Sequence, residues 1–152
     1  MRVSAKADYA VRAMIELAAG KQEAPVKGDR VAEAQKIPLR FLENILAELR
    51  HAGLVQSRRG AEGGYWLARA ADDVTLAEII RAVEGPLATV RGEPPEELRF
   101  QGQSKPLQEV WVALRANIRQ ILESVTLADV VANELPEPVR AIASHPDVWR
   151  NR

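Results

Sequence analysis

The stretch from Val26 to Ala68 leaves this chain few ways to fold. Leu42, Ile45, Leu46 and Leu49 recur at the i, i+3, i+4, i+7 spacing that lines the buried face of a helix. That helix is predicted from Pro38 to about Ala52. Pro38 opens it where a missing N–H does no harm, and Gly53 closes it as a left-handed cap. A weaker helix over 28–35, burying Val31 and Ala32, precedes it across the turn Gln35-Lys36-Ile37. Two short strands, 54–58 and 65–68, follow, with Arg59-Gly60-Ala61-Glu62-Gly63-Gly64 as the tip between them. Helix, turn, longer helix and hairpin in that order describe a winged helix-turn-helix.

The other side of the longer helix starts with Pro38, Leu39, Arg40, Glu43 and Asn44. Arg, Glu and Asn near a helix N-terminus can reach base edges in the major groove of double-stranded DNA. A surface hairpin with arginines is common and says little by itself. Directly after a helix-turn-helix, Arg58 and Arg59 suit phosphates or the negative potential of a narrow groove, and Gly60 permits close backbone approach. Ser4 caps a first helix running to about Ala19 and ended by Gly20, with Ala10, Ala13, Met14, Leu17 and Ala18 inside. Lys6 near that N-terminus suits a phosphate, because backbone N–H groups there also attract anions. Tyr9 fits either a core aromatic with a wet hydroxyl or a backbone phosphate contact.

Charge supports the same direction. The net charge is zero, but residues 1–69 hold 12 Lys+Arg against 8 Asp+Glu (+4) and residues 70–152 hold 9 against 13 (−4). Such a split fits a basic front on phosphate and an acidic rear facing away, although chance produces asymmetries of this size too. There is no cysteine, which excludes disulfides, thiolate catalysis and thiolate-held clusters. The two histidines, His51 and His145, lie far apart, so neither a metal nor a cofactor is expected. No apolar run reaches the roughly 18 residues of a membrane span, and the N-terminus opens on an amphipathic helix. A cytoplasmic protein with no membrane contact is expected.

Beyond the wing, Thr75-Leu76-Ala77-Glu78 reads as a capping box for a helix burying Leu76, Ile79, Ile80 and Val83, stopped by Gly85-Pro86. Residues 91–105 lose all periodicity and predict a mobile loop. The longest helix follows from Pro106 to Ser124, about 28 Å long. Leu107, Trp111, Leu114, Ile118, Ile121 and Val125 form a heptad seam on it, suited to a partner helix in a homodimer or to an internal core. Thr126 caps a short helix after it. The tail from Pro136 is predicted to be extended, with Trp149 as its anchor. The expected division is therefore a DNA-binding unit over 1–69, a connecting helix over 70–90, the loop 91–105, a dimerisation unit over 106–135 and the tail 136–152. The predicted fold class is mostly α with a small β-wing: a winged helix-turn-helix plus a long C-terminal dimerisation helix.

The motifs together resemble a known family. Met1 to Lys6, Tyr9 to Met14, Ile37-Pro38 leading to Phe41 through Leu46, Arg58-Arg59-Gly60 with Gly63-Gly64-Tyr65, Thr75-Leu76 through Gly85, Val110-Trp111 and Val125 to Val131 occur in order over nearly residues 1–135. The chain resembles the Rrf-two type of bacterial transcription regulators, the group of IscR, NsrR and CymR. The resemblance implies a winged-helix homodimer on an imperfect palindrome, joined through the long helix. By position it places Pro38, Leu39, Arg40 and Glu43 toward the major groove, Arg58, Arg59 and Gly60 at the wing, and Ser4, Lys6 and Tyr9 on backbone. Cluster-bearing members carry three cysteines where this chain has none; Lys105 and Gln108 stand at the last cysteine and the histidine position. Asp8 matches a carboxylate ligand of nitric-oxide-sensing members but cannot hold a cluster alone. Lys36 replaces the customary turn glycine and adds a phosphate contact at some strain, while Glu62 and Trp66 depart from the usual wing residues.

The expected function is a sequence-specific regulator, most simply a repressor, free of any iron–sulfur cluster. Control is left to a small molecule between the 91–105 loop and the long helix, to a partner protein, or to abundance. The rival is a protein-interaction module that kept the winged fold. An enzyme is not expected: no nucleophile–base pair or phosphate-cradling glycine loop is visible, and Asp72-Asp73 adjoin a helix cap.

Overall fold

The computed structural model describes residues 1–20 and 24–151. Lys21, Gln22 and Glu23 of the predicted 20–27 loop, and the terminal Arg152, lie outside the described residues. The chain runs through α1 (Ala5–Ala19), α2 (Gly28–Gln35), α3 (Leu39–His51), β1 (Val55–Arg58), β2 (Gly64–Leu67), α4 (Leu76–Glu84), α5 (Leu107–Ser124), α6 (Leu127–Ala132) and α7 (Glu137–Ala143). It is mostly α with a two-stranded antiparallel wing, as the periodicity predicts.

The apolar stripe of α3 is the centre of the core: Leu42, Ile45, Leu46 and Leu49 have no exposed surface. α1 lies across it with Ala10, Ala13 and Met14, whose small and flexible side chains let the two helices approach closely. The same cluster takes in Val74, Ile79 and Val83 around α4 and Leu127 of α6, so the core is continuous from the winged unit into the C-terminal half. The buried side of α4 is built from Ala77, Ile79 and Val83, with Leu76 and Ile80 at its margins.

Two capping boxes stand side by side. Thr75 accepts from the Glu78 amide and Glu78 returns the bond, and Thr126 does the same with Asp129. The two cap residues, Thr75 and Thr126, form an antiparallel bridge: the Leu76 amide donates to the Val125 carbonyl at 3.0 Å, and the Leu127 amide to the Val74 carbonyl at 3.0 Å. Val125 thereby leaves the α5 seam to which its spacing assigns it. It is extended, 3% exposed and part of the chain's own interior.

Three other expectations change. Pro38 is the N-cap of α3, one residue outside the helix, its carbonyl accepting from Leu42 at 3.0 Å. Residues 91–105 form no regular helix or strand, but the segment is anchored. Short turns at 95–97 and 102–104 shape it, Pro95 and Leu98 are buried, and the Gln108 amide donates to the carbonyls of Leu98 (2.6 Å) and Glu96 (3.1 Å). Arg115 adds an ion pair to Glu96. The junction between this segment and α5, expected to hold an effector, is thus crossed by the Gln108 and Arg115 contacts. The tail is not extended: Pro136 caps α7 and Pro138 sits in its first turn, where a missing N–H costs nothing. Trp149 stays 78% exposed, its indole N–H donating to the Ala143 carbonyl within the tail itself.

Candidate nucleic-acid interface

α3 presents one exposed edge at its start. Leu39 is 41% exposed and Phe41 36%, and Arg40, Glu43 and Asn44 are exposed beside them. Among the described residues, Arg40 and Asn44 have no side-chain partner, so a guanidinium and an amide stand free at a helix N-terminus. Lys36 closes α2 in the left-handed conformation (φ 53°, ψ 47°), its amide donating to the carbonyls of Ala32 and Glu33. That geometry, which glycine or asparagine adopts more easily, turns the chain sharply into α3 and leaves the Lys36 side chain exposed.

The N-terminal residues named with this surface are tied down within the chain. Ser4 caps α1 by accepting from Ala7 at 3.0 Å, and its hydroxyl donates to the Glu84 carboxylate of α4. Lys6 pairs with Glu48 on α3 at 2.9 Å. Tyr9 packs edge-on against Phe41, centroids 5.5 Å apart, with the Arg12 guanidinium 4.9 Å from its ring centre. Arg12 also pairs with Asp8 and donates to the Gln35 carbonyl at 2.8 Å, satisfying the end of α2. The Tyr9 ring is thus chiefly a brace between α1 and the start of α3. Sequence reasoning passed over Phe41 and Arg12 because a cross-helix stack has no local signature; their one signal is the helical spacing of Tyr9 and Arg12.

The wing is positioned by backbone. β1 pairs with β2 from Val55↔Leu67 to Arg58↔Gly64, and Val26 adds a bridge to Tyr65 through two 2.8 Å hydrogen bonds. Gly64 (φ 148°) makes that bridge possible, since a Cβ there would lie 2.7 Å from the Val26 carbonyl oxygen. The tip turns through Gly60 (φ 109°), and Gly63 faces the Arg58 carbonyl too closely for any side chain. Arg58 reaches back to the Glu62 carbonyl at 3.3 Å, while Arg59 is exposed with no partner among the described residues. Arg50, at the far end of α3, holds the wing root through Ser57 Oγ at 3.1 Å.

Behind the wing, Arg69 joins Asp73 (3.1 Å) and Glu78 (2.7 Å). Burial pushes the Glu78 carboxyl up, but the hydrogen bonds from Arg69 and the Thr75 amide outweigh it and hold the group below the usual carboxylate range. Hydrogen bonds to Glu78 and then Asp73 raise the Arg69 guanidinium above its ordinary value.

α5 packs on α4 and on the 95–97 turn, yet none of its 18 residues is buried. Leu107, Trp111, Leu114 and Ile118 are half-buried, Ile121 is 36% exposed and Val110 54%. An apolar edge through Val110 and Ile121, with half-buried Leu114 between them, therefore stays open. It runs into a cleft of about 720 Å³ between residues 1–4, the end of α4 and Ile118, Ile121 and Leu122.

Known proteins share this arrangement. The Rrf2 family pattern, described as an iron-dependent transcriptional regulator, matches residues 3–133. The protein Rv1287 of Mycobacterium tuberculosis strain H37Rv is 49% identical over 143 residues, covering 94% of this chain and 89% of its own. CymR of Bacillus subtilis strain 168, an HTH-type transcriptional regulator, is 36% identical over 132 residues (87% and 91%). The structure of CymR, the global cysteine regulator of B. subtilis, superposes with a TM-score of 0.75 at 34% identity, covering 88% of this chain and 98% of that one. T. potens IscR gives 0.69 at 34% identity (100% and 93%). The iron in the family description finds no matching donors here. The sequence has no cysteine, and no three His, Asp or Glu side chains converge among the described residues. The relatives are regulators of transcription rather than enzymes, and this chain belongs to the Rrf2 family of transcriptional regulators.

Proposed function

We propose that the chain is a cluster-free repressor that binds a palindromic operator as a homodimer. The observation that carries this is the free side chain of Arg40, exposed beside Glu43 and Asn44 at the start of a helix whose opposite face is wholly buried. Arg40 donates to a guanine edge, and Glu43 accepts from cytosine while repelling alternatives. Lys36, Arg58 and Arg59 supply sequence-independent affinity through counterion release. Lys6 can join them only by exchanging Glu48 for phosphate, and Ser4 and Tyr9 act first as cap and brace. Two-fold symmetry through α5 spaces two recognition helices one DNA turn, or a multiple, apart. The open apolar edge at Val110 and Ile121, with half-buried Leu114 between them, supports that interface. Among the described residues no helix is long and apolar enough to cross a membrane, consistent with a regulator working in the cytoplasm.

A gel shift on the DNA upstream of the chain's own coding sequence, run as a salt series, tests the reading. Regulation requires a steep negative salt slope with a sequence-dependent offset. Arg40→Ala is expected to cost about 1–3 kcal/mol on the specific duplex and to relax one base pair. Ile121→Glu is expected to convert dimer to monomer in sedimentation and to weaken operator binding. Equal, weak binding to every duplex would favour the interaction module instead.

A further inference from the structure

We propose that Gln56 is a DNA-contacting residue of the wing, held as an outward hydrogen-bond donor by Trp66. The proposal rests on the chain binding DNA. Gln56 and Trp66 are direct partners in the strand register, and the Trp66 indole N–H donates to Gln56 Oε1 at 3.0 Å. An indole can only donate, so the amide has one orientation: its oxygen is turned to the tryptophan and its NH2 group away from it. Among the described residues, nothing in the protein accepts from that NH2 group.

The direction follows from strand alternation. Val55 is buried and Ser57 receives Arg50 from α3, so this face of β1 is turned to the body. Gln56 and Arg58 share the opposite face, two residues or about 7 Å apart. Trp66 is half-buried and Gln56 exposed, so the amide that the indole holds is open to a ligand. A neutral amide with two free N–H groups, next to a guanidinium, fits acceptor atoms of the duplex: phosphate oxygens or groove-facing base acceptors. A free glutamine would lose rotamer entropy on making that bond, and the indole removes part of the loss beforehand. Gln56 is then a contact residue and Trp66 its positioning residue.

The test uses the full chain and two duplexes: the DNA upstream of its own coding sequence, and a scrambled duplex of equal composition. Gln56→Ala is expected to weaken binding by about fivefold, the worth of one ordinary hydrogen bond. The salt slope should stay unchanged because no charge is lost, whereas Arg59→Gln should lower it by about 0.9. Equal losses on both duplexes identify a phosphate oxygen as the acceptor; a larger loss on the upstream duplex identifies a base. Trp66→Phe keeps the ring and removes the tether. It should weaken binding less than Gln56→Ala, and the double variant should be no weaker than Gln56→Ala alone, because tether and contact form one unit. A purely structural tryptophan would give losses that multiply. As a second measurement, the Gln56 side-chain amide and Trp66 indole N–H signals should shift in nuclear magnetic resonance spectra when duplex is added. The proposal is overturned if Gln56→Ala binds both duplexes within twofold of the unaltered chain, if the two losses multiply, or if those signals do not move. Loss of all DNA binding by the unaltered chain would instead remove the underlying reading.

Discussion

Replacing Lys36 by glycine separates two roles that the position combines, because they respond with opposite sign. Lys36 occupies the left-handed region at φ 53° and ψ 47°. Holding a non-glycine residue there costs about 1–2 kcal/mol. Glycine relieves that strain but gains roughly 0.5–1 kcal/mol of extra freedom in the unfolded chain. The difference predicts a net stabilisation of about 0.5–1 kcal/mol, which for a chain of this size is a rise in Tm of about 2–3 °C. The capping bonds to Ala32 and Glu33 come from the backbone and survive the change. The same substitution deletes an exposed cation beside α3, so the salt slope of DNA binding should fall by about 0.9, with affinity lost equally on all duplexes. Lys36→Asn, which tolerates this backbone, should lie between the two in stability and match glycine in binding. Thermal unfolding and a salt-dependent titration read the two effects separately. A glycine variant that melts lower would refute the strain argument, and an unchanged salt slope would refute the phosphate contact.

Gly64→Ala should be costly for the reason that Lys36→Gly is favourable. A Cβ at φ 148° is strained and meets the Val26 carbonyl at 2.7 Å, endangering both Val26–Tyr65 hydrogen bonds. A loss of about 2–4 kcal/mol is expected in denaturant unfolding, together with faster exchange of the Tyr65 amide; a loss below about 0.5 kcal/mol would contradict the geometry. The Glu78 carboxyl sits below its unfolded value of 4.5, so its contribution is complete above that pH and fades as the pH falls through the lower folded value. The Tm gap between the unaltered chain and Glu78→Gln should therefore close on acidification below about pH 4.5; a gap independent of pH would mean that the Arg69–Glu78 bond adds nothing.

What the sequence shows of this fold is what neighbouring residues can encode. The stripe Leu42–Ile45–Leu46–Leu49 lies on one turn-to-turn repeat, and Thr75 with Glu78 closes its own box, so helices and caps were accessible from spacing alone. Of the residues assigned to the candidate site, Arg40, Glu43, Asn44 and Arg59 stand exposed, as their place off the buried stripe and at the hairpin tip predicts. What spacing could not show is partnership across elements. Lys6 meets Glu48, Ser4 meets Glu84 and Tyr9 meets Phe41 only once α1 lies over α3 and α4. Val125 matches the heptad repeat of α5 by spacing, yet its carbonyl is needed by Leu76 and its side chain fills the core. That exchange has a consequence for how the halves of the molecule communicate. The end of α5 is clipped to the start of α4 through Val125 and Leu76, and α4 is tied to the N-cap of α1 through Glu84 and Ser4. α1 in turn braces the first residues of α3 through Tyr9 and Phe41. These contacts, one of them the exposed Ser4–Glu84 hydrogen bond, form a continuous link from the end of α5 to the start of α3. In the proposed dimer, whatever sets the angle between two α5 helices would therefore also set where the two Arg40 side chains point, so the spacing of the half-sites it reads would depend on the rear of the molecule as much as on the face carrying Arg40.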